Sequence, residues 1–185
     1  MKGIWKMLDK DKIFQLVQRL DSTTYYHTLS VRDLAEEYED ATNAGDTLLS
    51  EAAFLHDIGK IYITTSILDK PGTLSKIEKQ IVDLHSYFGY KMLKELGVDD
   101  NICQIVLRHH NAKNPSCIES VPEPRTRKVY DYALMLHTID SFDALTTDRP
   151  YRDKFSVSAA LSILEGEGGH SPKMLKYLEK TAQYR

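Results

Sequence analysis

Apolar residues recur along this chain at helical spacing. Ile13, Leu16, Val17 and Leu20 fall at i, i+3, i+4 and i+7, the stripe of an amphipathic helix. Val31, Leu34, Ala35 and Tyr38 share a face of a second predicted helix over about 24–43. Gly45-Asp46 gives a stop and a new N-cap. The next helix, 47–57, is apolar almost all round, which predicts a central position. Lys70-Pro71-Gly72 reads as a turn. Ser75 and Glu78 form a capping-box pattern that opens a long helix to about Leu96, closed by Gly97. Ile77, Ile81, Leu84, Phe88 and Met92 share its apolar face, and His85 lies within that face.

A fifth helix is predicted over about 100–110. The stretch 111–125 is a polar loop with Pro115, Pro122 and Pro124. Another helix follows over about 126–145, then two shorter ones near 157–164 and 172–182. Ser171-Pro172 supplies a cap and a first-turn proline for the last of these. Strand patterning is absent apart from a short extended piece at Ile61-Tyr62-Ile63. No repeat or linker divides the chain. The expectation is an all-α, single-domain helical bundle over 1–185, with seven to eight helices.

Composition narrows the function classes. The chain has 185 residues, 42% apolar and 28% charged, with a formal net charge of −3. Such a balance suits a folded domain in water and argues against a broad cationic surface for long nucleic acid. It leaves room for a small phosphorylated substrate held by a few local cations. Cys103 and Cys117 form no CxxC pair and are read as structural. No run of about 18 apolar residues suggests a membrane span, and the N-terminus lacks a signal-peptide core. The cytoplasm is the expected location.

Chemistry concentrates in the histidines. His27 lies in the second predicted helix, and His56-Asp57 end the third. His85 sits on the apolar face of the fourth, His109-His110 end the fifth, and Asp140 lies in the sixth. One histidine on an apolar face is ordinarily a hydrogen-bonded core residue. Five of them, with two aspartates, converging from separate helices are what a metal site in a bundle requires. Imidazole and carboxylate without thiolate suit iron, manganese, nickel, cobalt or zinc. Seven such groups exceed the needs of one ion with an open position, whereas two ions bridged by Asp57 use them all. His137 and His170 are read as structural, with His137 one turn from Asp140. Asp143 is read as a support for the site or a helix cap.

The strings HDIGK, ILDKPGTLSKIE, LHSYFGYKML, LRHH and IDSFDALTTDRPYR, in this order, closely resemble the HD-GYP branch of the HD metal-dependent phosphohydrolases. The resemblance implies two divalent metal ions, iron or manganese first. His27, His56, Asp57 and Asp140 would hold one; Asp57, His85, His109 and His110 would hold the other. It implies that Lys60 approaches the scissile phosphate and that Arg149 and Arg152 contact phosphate. The implied activity is hydrolysis of a cyclic dinucleotide, cyclic di-GMP above all, by water that the two metals activate.

Two departures qualify it. After His110 the chain reads Asn111-Ala112-Lys113-Asn114, without the family's glutamate and Gly-Tyr-Pro triplet. Thr23 stands where some relatives carry a glutamate that helps recruit a third metal. Another phosphate ester as substrate, or a binding module without activity, therefore stay open as readings of the sequence. With no regulatory domain expected in the chain, signal input is expected through a homodimer or a separate regulatory protein.

Overall fold

The computed structural model describes residues 10–110, 123–124, 126–148 and 152–182. The regular elements among the described residues are helices, as the periodicity predicts, and these residues form no strand. In chain order the first elements are α1 (Lys10–Val17), α2 (Ser22–Thr42) and α3 (Leu48–Leu55). A 3₁₀ turn (Ile58–Tyr62) and α4 (Thr65–Leu68) follow. Next come α5 (Lys76–Asp83), α6 (His85–Glu95) and α7 (Asp100–Arg108). Last are α8 (Arg127–Thr146), α9 (Val157–Glu167) and α10 (Pro172–Ala182).

The apolar helix α3 and, beside it, α7 occupy the middle. In α3, Leu49, Ala52, Ala53 and Leu55 are all fully buried. In α7 every residue from Ile102 to Arg108 is buried, so beyond its first two residues this helix has no solvent face. α2, α6 and α8 pack around this pair, and α9 and α10 close on α8. Val31, Ala35, Ile105, Val106, Leu136 and Ile139 join them in one apolar cluster. The helices that the core immobilises are therefore the ones that carry His27, His56, His109 and Asp140.

Several boundaries follow local chemistry. The Asp21 side chain accepts from Thr24 N at 2.9 Å and starts α2. The Ser75–Glu78 capping box forms with both of its bonds. Gly97 adopts a left-handed φ of 74°, and Val98 N donates to Leu93 O at 3.0 Å, which ends α6 as expected. Ser171 Oγ accepts from Met174 N at the start of α10.

Three details differ from the sequence expectation. The start of α3 is capped from a distance: Glu39 Oε1 on α2 accepts from Leu49 N at 2.8 Å and Ser50 N at 3.3 Å, while Asp46 makes only a 3.4 Å contact to Leu48 N. Ile61-Tyr62 is not extended but belongs to the 3₁₀ turn. The long helix of 76–96 is interrupted at Leu84 and becomes α5 and α6. At that break the His85 ring donates from Nδ1 to Val82 O at 2.6 Å, and Ser86 Oγ donates to Asp83 O at 3.1 Å. Side chains that bond carbonyls of the preceding turn compete with the helix's own ladder.

Candidate metal centre

Three histidines of the centre share one construction. The last carbonyls of a helix have no partner within it. His56, at the end of α3, donates Nδ1–H to Ala53 O at 2.7 Å. His109, at the end of α7, does the same to Val106 O at 2.6 Å, and His85 does so to Val82 O at the end of α5. Each bond spans three residues, satisfies an orphan carbonyl and fixes the tautomer. In all three rings the proton sits on Nδ1, so Nε2 presents a lone pair to the interior.

Those lone pairs converge. His85 Nε2 lies 3.3 Å from His109 Nε2 and 3.2 Å from His110 Nε2. It also lies 3.3 Å from Asp57 Oδ1. With both Nδ1 atoms protonated, the His85–His109 pair has no hydrogen to share. His56 Nε2 is buried without a hydrogen-bond partner and faces two acceptors, Asp57 Oδ2 at 3.5 Å and Asp140 Oδ1 at 3.9 Å. Buried acceptors facing acceptors are unfavourable unless a cation stands among them. The donor atoms form two close groups, His85–His109–His110 and His27–His56–Asp57, each within 4.8 Å. Asp57 touches both through its two oxygens. The residues present thus fit a divalent metal pair.

His27 is held differently. Its Nε2 lies 2.8 Å from Asp140 Oδ1 and its Nδ1 2.6 Å from Asp143 Oδ2. Ser30, one turn further along α2, donates to the other oxygen of Asp143. Asp143 accordingly orients the ring, leaving Nε2 for the interior.

The charges follow from burial and partners. Desolvation lowers His56 and His109, the latter well below the usual imidazole range, and brings His85 down to about 3. All three are neutral at pH 7, the form that binds a metal. Burial alone would also lower His27, but its bonds to Asp140 and Asp143 outweigh this and push it up to about 9. Desolvation would raise Asp57; Lys60, whose Nζ sits 2.7 Å from Oδ2, dominates and holds the carboxylate well below its ordinary value. Asp140 is likewise held ionised against its burial, chiefly by His27.

The structure therefore brings together His27, His56, Asp57, Lys60, His85, His109, His110 and Asp140. Arg149 and the 111–117 stretch lie outside the described residues. Arg152 donates to Ala144 O at 2.6 Å and Leu145 O at 3.3 Å, and stacks over Phe155. It caps the end of α8. Sequence reasoning missed Ser30, whose position one turn after His27 was the available signal. It also missed the pairing of His137 with His170, whose rings stack 4.8 Å apart and nearly parallel.

Glycine has a specific task here. Gly59 lies against α6 so closely that a Cβ would stand 2.0 Å from His85 O and 2.5 Å from Gly89 N. The turn carrying Asp57 and Lys60 is thereby seated directly on the backbone of His85.

Comparison with known proteins bears on family and fold. A family model for the HD domain matches residues 24–145. The 3'3'-cGAMP-specific phosphodiesterase 3 of Vibrio cholerae serotype O1 is 33% identical over 143 residues, 76% of this chain and 29% of that protein. The cyclic di-GMP phosphodiesterase response regulator RpfG of Xanthomonas campestris pv. campestris is 34% identical over 127 residues, 66% of this chain and 32% of its own. A cyclic di-GMP phosphodiesterase of Thermotoga maritima is 28% identical over 187 residues, 90% of this chain and 49% of that one. The chain thus spans between 29% and 49% of the length of these relatives. In fold it is similar to the HD domain of the L. monocytogenes phosphodiesterase PgpH, with a TM-score of 0.67 at 19% identity, covering 92% of this chain and 94% of that one. On the match across residues 24–145, with His56-Asp57 inside it, this chain belongs to the HD domain family.

Proposed function

We propose that this chain is a metal-dependent phosphodiesterase for a cyclic dinucleotide, with cyclic di-GMP the first candidate. The observation that carries the proposal is the convergence of proton-free Nε2 atoms on the carboxylates of Asp57 and Asp140, with Lys60 at the edge of the cluster. The relatives named for cyclic di-GMP and 3'3'-cGAMP support the substrate class.

Two divalent first-row ions are proposed, iron or manganese before nickel, cobalt or zinc. His27, His56, Asp57 and Asp140 would hold one, and Asp57, His85, His109 and His110 the other. Such a pair, when bound, lowers the pKa of water and offsets charge on phosphoryl oxygens. The protein's own part is positional. Carbonyls of Ala53, Val82 and Val106 aim three imidazoles, and Asp143 aims a fourth. The Lys60 side chain is 20% exposed and its ammonium touches Asp57, so it stands where a phosphate on the metals would meet a cation. We assign it to charge on the non-bridging oxygens, with Arg149 as a second cation on the sequence alone.

The test is turnover of cyclic di-GMP and 3'3'-cGAMP by anaerobically purified protein loaded with iron or manganese, with Asp57→Ala as control. Hydrolysis that the substitution abolishes is expected. A fully metal-loaded protein inert toward both dinucleotides would refute the assignment.

A further inference from the structure

We propose that Tyr62, backed by Phe88, is a stacking platform for a nucleobase of the substrate. The proposal rests on the phosphodiesterase reading and adds to it a residue that sets affinity for the base.

Tyr62 is 62% exposed, one of few large apolar side chains left in water. Its ring meets Phe88 at a centroid distance of 5.7 Å and an interplanar angle of 61°. Such an edge-to-face contact fixes ring orientation while leaving ring surface open. Both residues are tied to the centre through the backbone. Tyr62 closes the 3₁₀ turn that begins beside Asp57 and includes Lys60. At a rise of about 2 Å per residue it stands roughly 4 Å along that turn from Lys60. Phe88 lies three residues after His85 on α6, close to one helical turn of about 5.4 Å. The aromatic pair therefore bridges the two elements that supply Lys60 and His85.

That offset suits a nucleotide, whose base is separated from its phosphate by a sugar. A phosphate beside Lys60 leaves a base able to reach an aromatic face one turn away. The contact would be tolerant of base identity, because every base has a π-face, and most favourable for purines with their larger rings. Gly59 seats the turn on α6, so the platform and the phosphate end move as one body.

The experiment uses the manganese-loaded full chain and compares Tyr62→Ala and Tyr62→Phe with wild type. Steady-state kinetics give kcat and KM for cyclic di-GMP, calorimetry gives the Kd of GMP, and inhibition gives the Ki of inorganic phosphate. Tyr62→Ala should raise KM and the GMP Kd about 10- to 100-fold. It should leave kcat and the phosphate Ki unchanged, and Tyr62→Phe should match wild type. Unchanged KM and GMP binding in Tyr62→Ala overturns the platform alone. Equal weakening of GMP and phosphate also overturns it, because a distorted turn then explains the loss. A wild-type chain that turns over no cyclic dinucleotide overturns the phosphodiesterase reading and the platform with it.

Discussion

Replacing Gly59 with alanine tests how strictly the centre depends on backbone contact. The added Cβ would stand 2.0 Å from His85 O, 2.5 Å from Gly89 N and 2.9 Å from the His85 carbonyl carbon. Non-bonded heavy atoms settle at about 3.5–4.0 Å, so the turn and α6 must separate by at least about 1 Å. All the blocking atoms are backbone, and no rotamer change relieves them. Gly59 has no left-handed φ, so its need is for space and not for conformation. Asp57 is two residues away on the turn, and His85 is on the other side of the gap, with 3.3 Å between their donor atoms. Metal sites tolerate shifts of only about 0.2 Å in ligand distance. Gly59→Ala should therefore lose metal from the His85 group and cost roughly 100-fold in turnover. Overpacking of this kind costs about 1–3 kcal/mol, which at this chain length lowers Tm by roughly 2–12 °C. Gly166→Ala in α9 is the control: a Cβ there meets nothing within 4 Å, and stability should rise by about 0.5–1 kcal/mol. Metal content by mass spectrometry, thermal melting and kcat decide the matter. A Gly59→Ala protein with wild-type metal content and turnover would refute the packing argument.

Lys60→Ala should keep its metals but reduce kcat by about 10²–10³-fold, since it removes one charge partner of the phosphate; parallel loss of metal would make Lys60 structural instead. Asp143→Asn removes the carboxylate that holds His27 at 2.6 Å, and metal affinity or activity should fall about 10- to 100-fold in a competition titration. In the chelated protein the His27 imidazolium, raised from 6.5 to about 9, contributes roughly 3 kcal/mol that is fully present below pH 6.5. That stability is lost as pH rises through about 9, so urea denaturation should show wild type converging with His27→Gln toward alkaline pH; a gap that stayed constant would refute the assignment.

The sequence singles out His27, His56, Asp57, His85, His109, His110 and Asp140 because they lie in, or at the ends of, separate apolar-patterned helices, and the structure brings these residues together. The central position of α3 is likewise legible, because its sequence lacks a polar side. The remainder depends on contacts that one-dimensional pattern does not carry. The cap of α3 comes from Glu39, ten residues before Leu49 and on another helix. The break at Leu84 arises because His85 and Ser86 bond carbonyls of the preceding turn, although Ile81, Leu84 and Phe88 keep helical spacing across it. Gly59 reads as one more small residue until α6 is placed against it. The bonds of Arg152 to the carbonyls at the end of α8 carry no sign in the sequence. Long-range placement, and competition between side chain and backbone for the same carbonyl, are what the pattern leaves out.

The most direct test is the metal content of the purified chain and of Asp57→Asn, measured by mass spectrometry after anaerobic loading with manganese or iron. Asp57 faces both donor groups through its two oxygens, at 3.3 Å from His85 and 3.5 Å from His56. Two ions per wild-type chain, and fewer than one in Asp57→Asn, are the predicted result. A single ion in the wild type, or two retained in Asp57→Asn, would contradict a metal pair bridged by Asp57.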